Sequence, residues 1–134
     1  MRLRYVDLGQ PGDRYPPSLA ALRSAEASGV YVFRSSTTGQ VLYVGESHAG
    51  RLYSTITRHL QGWSRGKSFW ASAGFSKHDP GVTHKRSAVE VAWLVLKSSK
   101  AVEAQNRLIR RLRPRDNIVE GRVDVETWLP EIPF

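Results

Sequence analysis

Two short apolar runs, Tyr31-Val32-Phe33 and Val41-Leu42-Tyr43-Val44, are separated by Arg34-Ser35-Ser36-Thr37-Thr38-Gly39, a stretch dense in turn formers. Runs of this length bounded by such residues predict the two antiparallel strands of a hairpin. Gly29-Val30-Tyr31 and Tyr43-Val44-Gly45 then sit at matching ends of it. Whatever the rest of the fold, this pairing sets two phenols side by side on one sheet face, next to the basic helix that follows.

The remaining elements follow from periodicity and punctuation. Residues 1–17 hold Gly9, Pro11, Gly12, Pro16 and Pro17 and read as an extended lead-in. Pro17 to Arg23 predicts a short helix, with Leu19 and Leu22 spaced to touch one surface. After the loop Glu46-Ser47-His48-Ala49-Gly50, Leu52, Ile56 and Leu60 recur every fourth residue and predict a helix over 51–61. Residues 62–86 are irregular and mix Trp63, Phe69, Trp70 and Phe75 with lysines and arginines. Ala88 to Leu96 is almost continuously apolar and β-branched, which suits a strand buried on both faces. Ser98-Ser99 is placed to cap a helix over Ala101–Leu112, with Leu108, Ile109 and Leu112 as its inner stripe and Pro114 as its stop. The tail alternates around Arg122-Val123-Asp124-Val125 and predicts an edge strand or packed arm over 119–134. The fold class is therefore α/β (α+β), in one domain over 1–134 with its core at about 27–118.

Composition narrows the function. At 134 residues and 40% hydrophobic content, the chain suits a single core. No apolar run approaches about 18 residues and Met1-Arg2-Leu3-Arg4 leads into polar sequence, so a soluble, cytoplasmic protein with no membrane partner is expected. Without cysteine there is no disulfide, thiolate nucleophile or cysteine-ligated zinc. A formal charge of +8 and a pI near 10.3, carried mostly by arginine, favour a polyanionic partner, with nucleic acid first.

The two tyrosine triplets at hairpin spacing, the basic helix after them and Leu108-Ile109-Arg110-Arg111-Leu112-Arg113-Pro114-Arg115-Asp116-Asn117 together resemble the GIY-YIG nuclease superfamily, including the nuclease domain of excision-repair incision subunits and intron homing endonucleases. The middle residue of each triplet is valine here. The resemblance implies a small antiparallel three-stranded sheet flanked by helices. It also implies a DNA endonuclease, a phosphodiester hydrolase that uses one Mg²⁺ or Mn²⁺ and no small-molecule cofactor.

By the same resemblance, Tyr31 acts on the attacking water, Tyr43 orients that network and Asn117 holds the loop after the last helix. The helix arginine that meets the scissile phosphate is Arg51 or Arg58. Arg51 is favoured for the reaction, with Arg58 and His59 in support, although for His59 a surface or capping role outweighs catalysis. The family's metal-binding glutamate falls on Gln105, twelve residues before Asn117. An amide offers a hard cation one neutral oxygen, so it is a poor ligand. Either the glutamate was replaced deliberately, or the protein binds DNA without cutting it, or another carboxylate supplies the ion, Glu46 before Glu90. Gly45, His48, Lys67, Arg107, Arg110, Arg111 and Arg115 are the expected nucleic-acid contacts. Trp63, Phe69 and Trp70 stack on bases or, more commonly for such residues, pack in the core. A DNA-binding module without activity is the second reading, and a basic protein-interaction domain the third.

Overall fold

The computed structural model describes residues 3–10, 12–60, 63, 80, 84–115 and 117. A strand β1 (Val6–Asp7) is followed by a 3-10 turn (Pro17–Leu19) running into the single-turn helix α1 (Ala20–Arg23). The hairpin β2 (Gly29–Ser35) and β3 (Val41–Ser47) leads to helix α2 over residues 52–60. Strand β4 (Val89–Val95) and the long helix α3 (Ser98–Leu112) complete the set. The protein is thus α+β, with a four-stranded antiparallel sheet in the order β1-β4-β2-β3. Among the described residues no helix is long and apolar enough to cross a membrane.

The sheet has one strand more than the three expected. Val6 and Asp7 pair with Val91 and Glu90 on the outer edge of β4, so the lead-in is partly strand. Local sequence gives no sign of this, because contacts from distant residues hold the segment. The buried Arg86 guanidinium donates to Leu8 O at 2.6 and 3.1 Å and to Asp13 O at 2.8 Å. Arg34, ion-paired across the sheet with Glu90, lies 3.7 Å over the Tyr5 ring.

Each face of the sheet packs its own core. On one, Val30, Val32 and Val44 meet Ala104, Leu108 and Ile109 of α3. On the other, Tyr31, Phe33, Leu42 and Val91 meet Leu52, Ile56 and Leu60 of α2 together with Leu19 and Leu22. Strict alternation would send Leu42 to the α3 side. A bulge prevents it: Phe33 pairs with Tyr43 and Arg34 with Val41, leaving Leu42 as the extra residue, so that Leu42 and Tyr43 both join the α2-side cluster.

Two expectations about helix ends are corrected. Helix α3 begins at Ser98 rather than Ala101, and neither Ser98 nor Ser99 caps it; Lys97 holds the N-cap position without a side-chain bond. The Ser98 hydroxyl instead accepts from Ala49 N at 3.0 Å and bonds Ser28 Oγ at 3.0 Å. The tail 119–134, with its expected strand or arm, lies outside the described residues.

Candidate active site

Tyr31 and Gly45 are register partners on β2 and β3. A β-carbon on Gly45 would overlap Cζ and Oη of Tyr31, so the phenol lies across its neighbour's backbone, where only glycine leaves room. From the α2 side, His59 brings Nε2 to 3.0 Å from Tyr31 Oη. Tyr43 completes the group, its ring centroid 6.1 Å from that of Tyr31 and 5.3 Å from that of His59. Phe33 floors it, 4.9 Å from His59. The two tyrosines therefore meet as their hairpin spacing requires, and a histidine joins them.

Helix α2 delivers His59 because its inner stripe continues past the leucines. Leu52, Ile56, His59 and Trp63 follow one another at four, three and four residues, so the imidazole faces the sheet rather than solvent. That spacing is the signal for a half-buried, sheet-facing His59, in place of the expected surface or capping role. Thr55, one turn before His59, donates to Ser47 Oγ at 2.8 Å and ties α2 to the end of β3.

Burial shapes the proton chemistry. The Tyr31 phenol is held well above its ordinary range, chiefly by burial and then by Tyr43, with Glu46 adding and Arg58 opposing. His59 is lowered to about 4 by burial and then by the Arg58 charge. At neutral pH the pair is therefore a protonated phenol against an uncharged imidazole, and a buried phenol proton needs an acceptor such as Nε2. Arg58 acts on both groups. Arg51 is exposed at the other end of α2, eight residues or about 12 Å of helix axis from His59.

The other expected site residues divide by location. Asn117 accepts from Val44 N and donates to Val44 O, both at 2.8 Å, so its amide acts as one more residue of strand on the outer edge of β3, the edge strand among the described residues. Glu46 pairs with Val30, which puts its side chain on the α3 face, where it bonds His48 Nδ1 at 3.1 Å. Gln105 is half-buried on α3, and Glu103 is engaged by Arg107 at 3.0 Å. Glu90 is engaged by Arg34. Arg110 and Arg115 are half-buried and Arg111 is exposed, and all three have partners. Trp63 is half-buried and packs against the core: Nε1 donates to His84 O at 2.9 Å and its ring meets Phe33 edge-on at 5.8 Å. Lys67, Phe69 and Trp70 lie outside the described residues.

A resident divalent ion does not fit these donors. Gln105 offers only an amide oxygen, Glu46 is taken up by His48, and among the described residues no three His, Cys, Asp or Glu side chains gather. Comparison with family models, with curated proteins and with solved structures finds no match to the chain.

Proposed function

We propose that the protein binds DNA and hydrolyses a phosphodiester bond, as the resemblance to GIY-YIG nucleases implies, and that the Tyr31–His59 pair moves the proton of the attacking water. The observation that carries this reading is the 3.0 Å bond between a buried phenol and a half-buried imidazole, beside Tyr43 and within reach of the Arg58 charge. A water next to Tyr31 gives its proton to the phenol oxygen as the phenol proton passes to His59 Nε2. The hydroxide formed attacks phosphorus, the P–O bond to the departing strand breaks, and that oxygen takes its proton from solvent. Free, the pair resists this transfer, because imidazolium is disfavoured in its pocket. An arriving phosphate supplies the missing negative charge and favours imidazolium, so substrate itself switches the relay on. In this reading the reacting phosphate lies against Arg58, not Arg51.

A second reading, a DNA-binding module that does not cut, is favoured by Gln105. Nicking of supercoiled plasmid and cleavage of single-stranded DNA, each with and without Mg²⁺ or Mn²⁺, separate the two. The hydrolase reading expects cutting by the wild type and a loss of about 10²-fold or more in Tyr31→Phe. If only Gln105→Glu cuts, and only with metal, the second reading holds. Equal cutting by Tyr31→Phe and wild type removes Tyr31 from the reaction.

A further inference from the structure

Helix α2 and strand β3 meet in step. Gly45 and Ser47 stand two residues apart on β3 and share the sheet face toward α2, while Thr55 and His59 stand four residues apart on one side of the helix. A strand advances about 6.7 Å in two residues and a helix about 6 Å in four, so contacts between them repeat at nearly one interval. Thr55 donates to Ser47 Oγ at 2.8 Å. One turn on, His59 Nε2 lies 3.0 Å from the hydroxyl of Tyr31, the register partner of Gly45. Four residues further, Trp63 meets Phe33, the register partner of Tyr43, edge-on. The helix therefore runs antiparallel to β3, and the first rung of this ladder is a side-chain hydrogen bond.

That rung does what the apolar contacts cannot. Leu52, Ile56 and Leu60 choose which face of α2 is buried, but attraction between apolar surfaces is non-directional and leaves the helix free to slide or roll by a fraction of an ångström. A hydrogen bond is tighter, because it weakens steeply with misalignment. Ser47 is buried and Thr55 half-buried, which shelters the bond from water. The neighbouring Thr57 instead turns its hydroxyl to Tyr53 O and Ser54 O and so acts within its own helix.

We propose that Thr55 is a positioning residue: its bond to Ser47 sets where α2 stands along β3 and thereby holds His59 Nε2 where it accepts the Tyr31 proton. The inference rests on the proton-moving role of the Tyr31–His59 pair and deepens it. Thr55 acts through His59 and not on the substrate.

The imidazole itself reports the bond. While Tyr31 donates to Nε2, that nitrogen is bare and the ring proton sits on Nδ1, a tautomer that nitrogen NMR of the His59 ring identifies at neutral pH. Thr55→Val keeps the shape of the side chain and removes its hydroxyl, Thr55→Ser keeps the hydroxyl, and Ser47→Ala removes the acceptor from the strand side. The valine and alanine variants are expected to move the ring proton toward Nε2. They also lower the cleavage rate at saturating DNA about tenfold or more, with DNA affinity unchanged. Thr55→Ser restores both the tautomer and the rate. Wild-type tautomer and rate in Thr55→Val and Ser47→Ala overturn the proposal. So does a serine variant as impaired as valine, since the hydroxyl is then not what matters. A wild-type ring already protonated on Nε2 overturns the relay and the proposal together. A wild type that never cuts, with the tautomer lost in valine and alanine and kept in serine, sinks the hydrolase and leaves the positioning role standing. A wild type that cuts, beside valine and alanine variants with its tautomer and rate, does the reverse.

Discussion

The Tyr31 ring owes its position to an atom that is missing opposite it. Gly45 lets the phenol lie against the backbone of β3, and the geometry of Oη toward His59 follows from that contact. Gly45→Ala forces the ring away in an interior with no slack. Overpacking of this kind costs about 1–3 kcal/mol, so urea unfolding is expected to report a loss of that size. The larger effect falls on chemistry, since a displacement of about 1 Å at a reacting group lowers rate on the order of 10²-fold. In the variant the His59 imidazole, followed by NMR, titrates closer to its ordinary range as water enters its pocket. An alanine variant that keeps both its cleavage rate and the His59 titration near 4 disproves this account of the glycine.

At the scale of elements, the vulnerable place is the outer edge of β3, which carries Tyr43 and Gly45. Backbone donors and acceptors on a free edge invite pairing with another chain. Here Arg115 N donates to Val41 O at 3.1 Å and the Asn117 amide takes both groups of Val44. Asn117→Ala removes both Val44 bonds. It is expected to cost about 1–3 kcal/mol in chemical denaturation and to raise self-association in light scattering. Asn117→Asp keeps the acceptor but not the donor and falls between. No change in either measurement refutes the edge role. The sequence makes most of these elements legible because period two and period 3.6 are strong signals: the hairpin, α2, β4 and α3 all lie where the apolar spacing puts them. It hides β1, a two-residue strand in proline-rich and glycine-rich sequence, because that pairing depends on Arg86 and Arg34, far along the chain. The site is half legible. The tyrosines follow from hairpin register, whereas the Ser98 bridge and the Tyr31–His59 bond depend on tertiary contacts that spacing alone does not specify.

For the whole molecule, a sheet covered on both faces has to bury at least one ionisable group to build a proton-handling site inside its core. Tyr31 is buried there with His59 half-buried against it, and the withdrawal of the imidazole from water ties stability to pH. In the unfolded chain its imidazole titrates near 6.5 and in the folded protein near 4. Between those values the unfolded state binds more protons, so stability rises with pH across the interval. Above about 6.5 the imidazole is neutral in both states and costs nothing. As pH falls toward about 4 the penalty grows to roughly 3 kcal/mol, and below that it stays constant. Other ionisable groups also respond to acid, so the wild-type curve alone is not diagnostic. The difference between wild type and His59→Gln is, because the amide does not titrate and the other groups cancel. Urea unfolding of both proteins at steps between about pH 4 and 7 is expected to show the wild type losing roughly 2–3 kcal/mol more than the variant, almost all of it below about pH 6.5. Adding a non-cleavable DNA oligonucleotide should narrow that gap, because a phosphate beside the ring favours imidazolium in the folded state. Parallel stability curves for the two proteins would mean that His59 is solvated and ordinary, and the relay drawn through it would fall with the burial that motivates it.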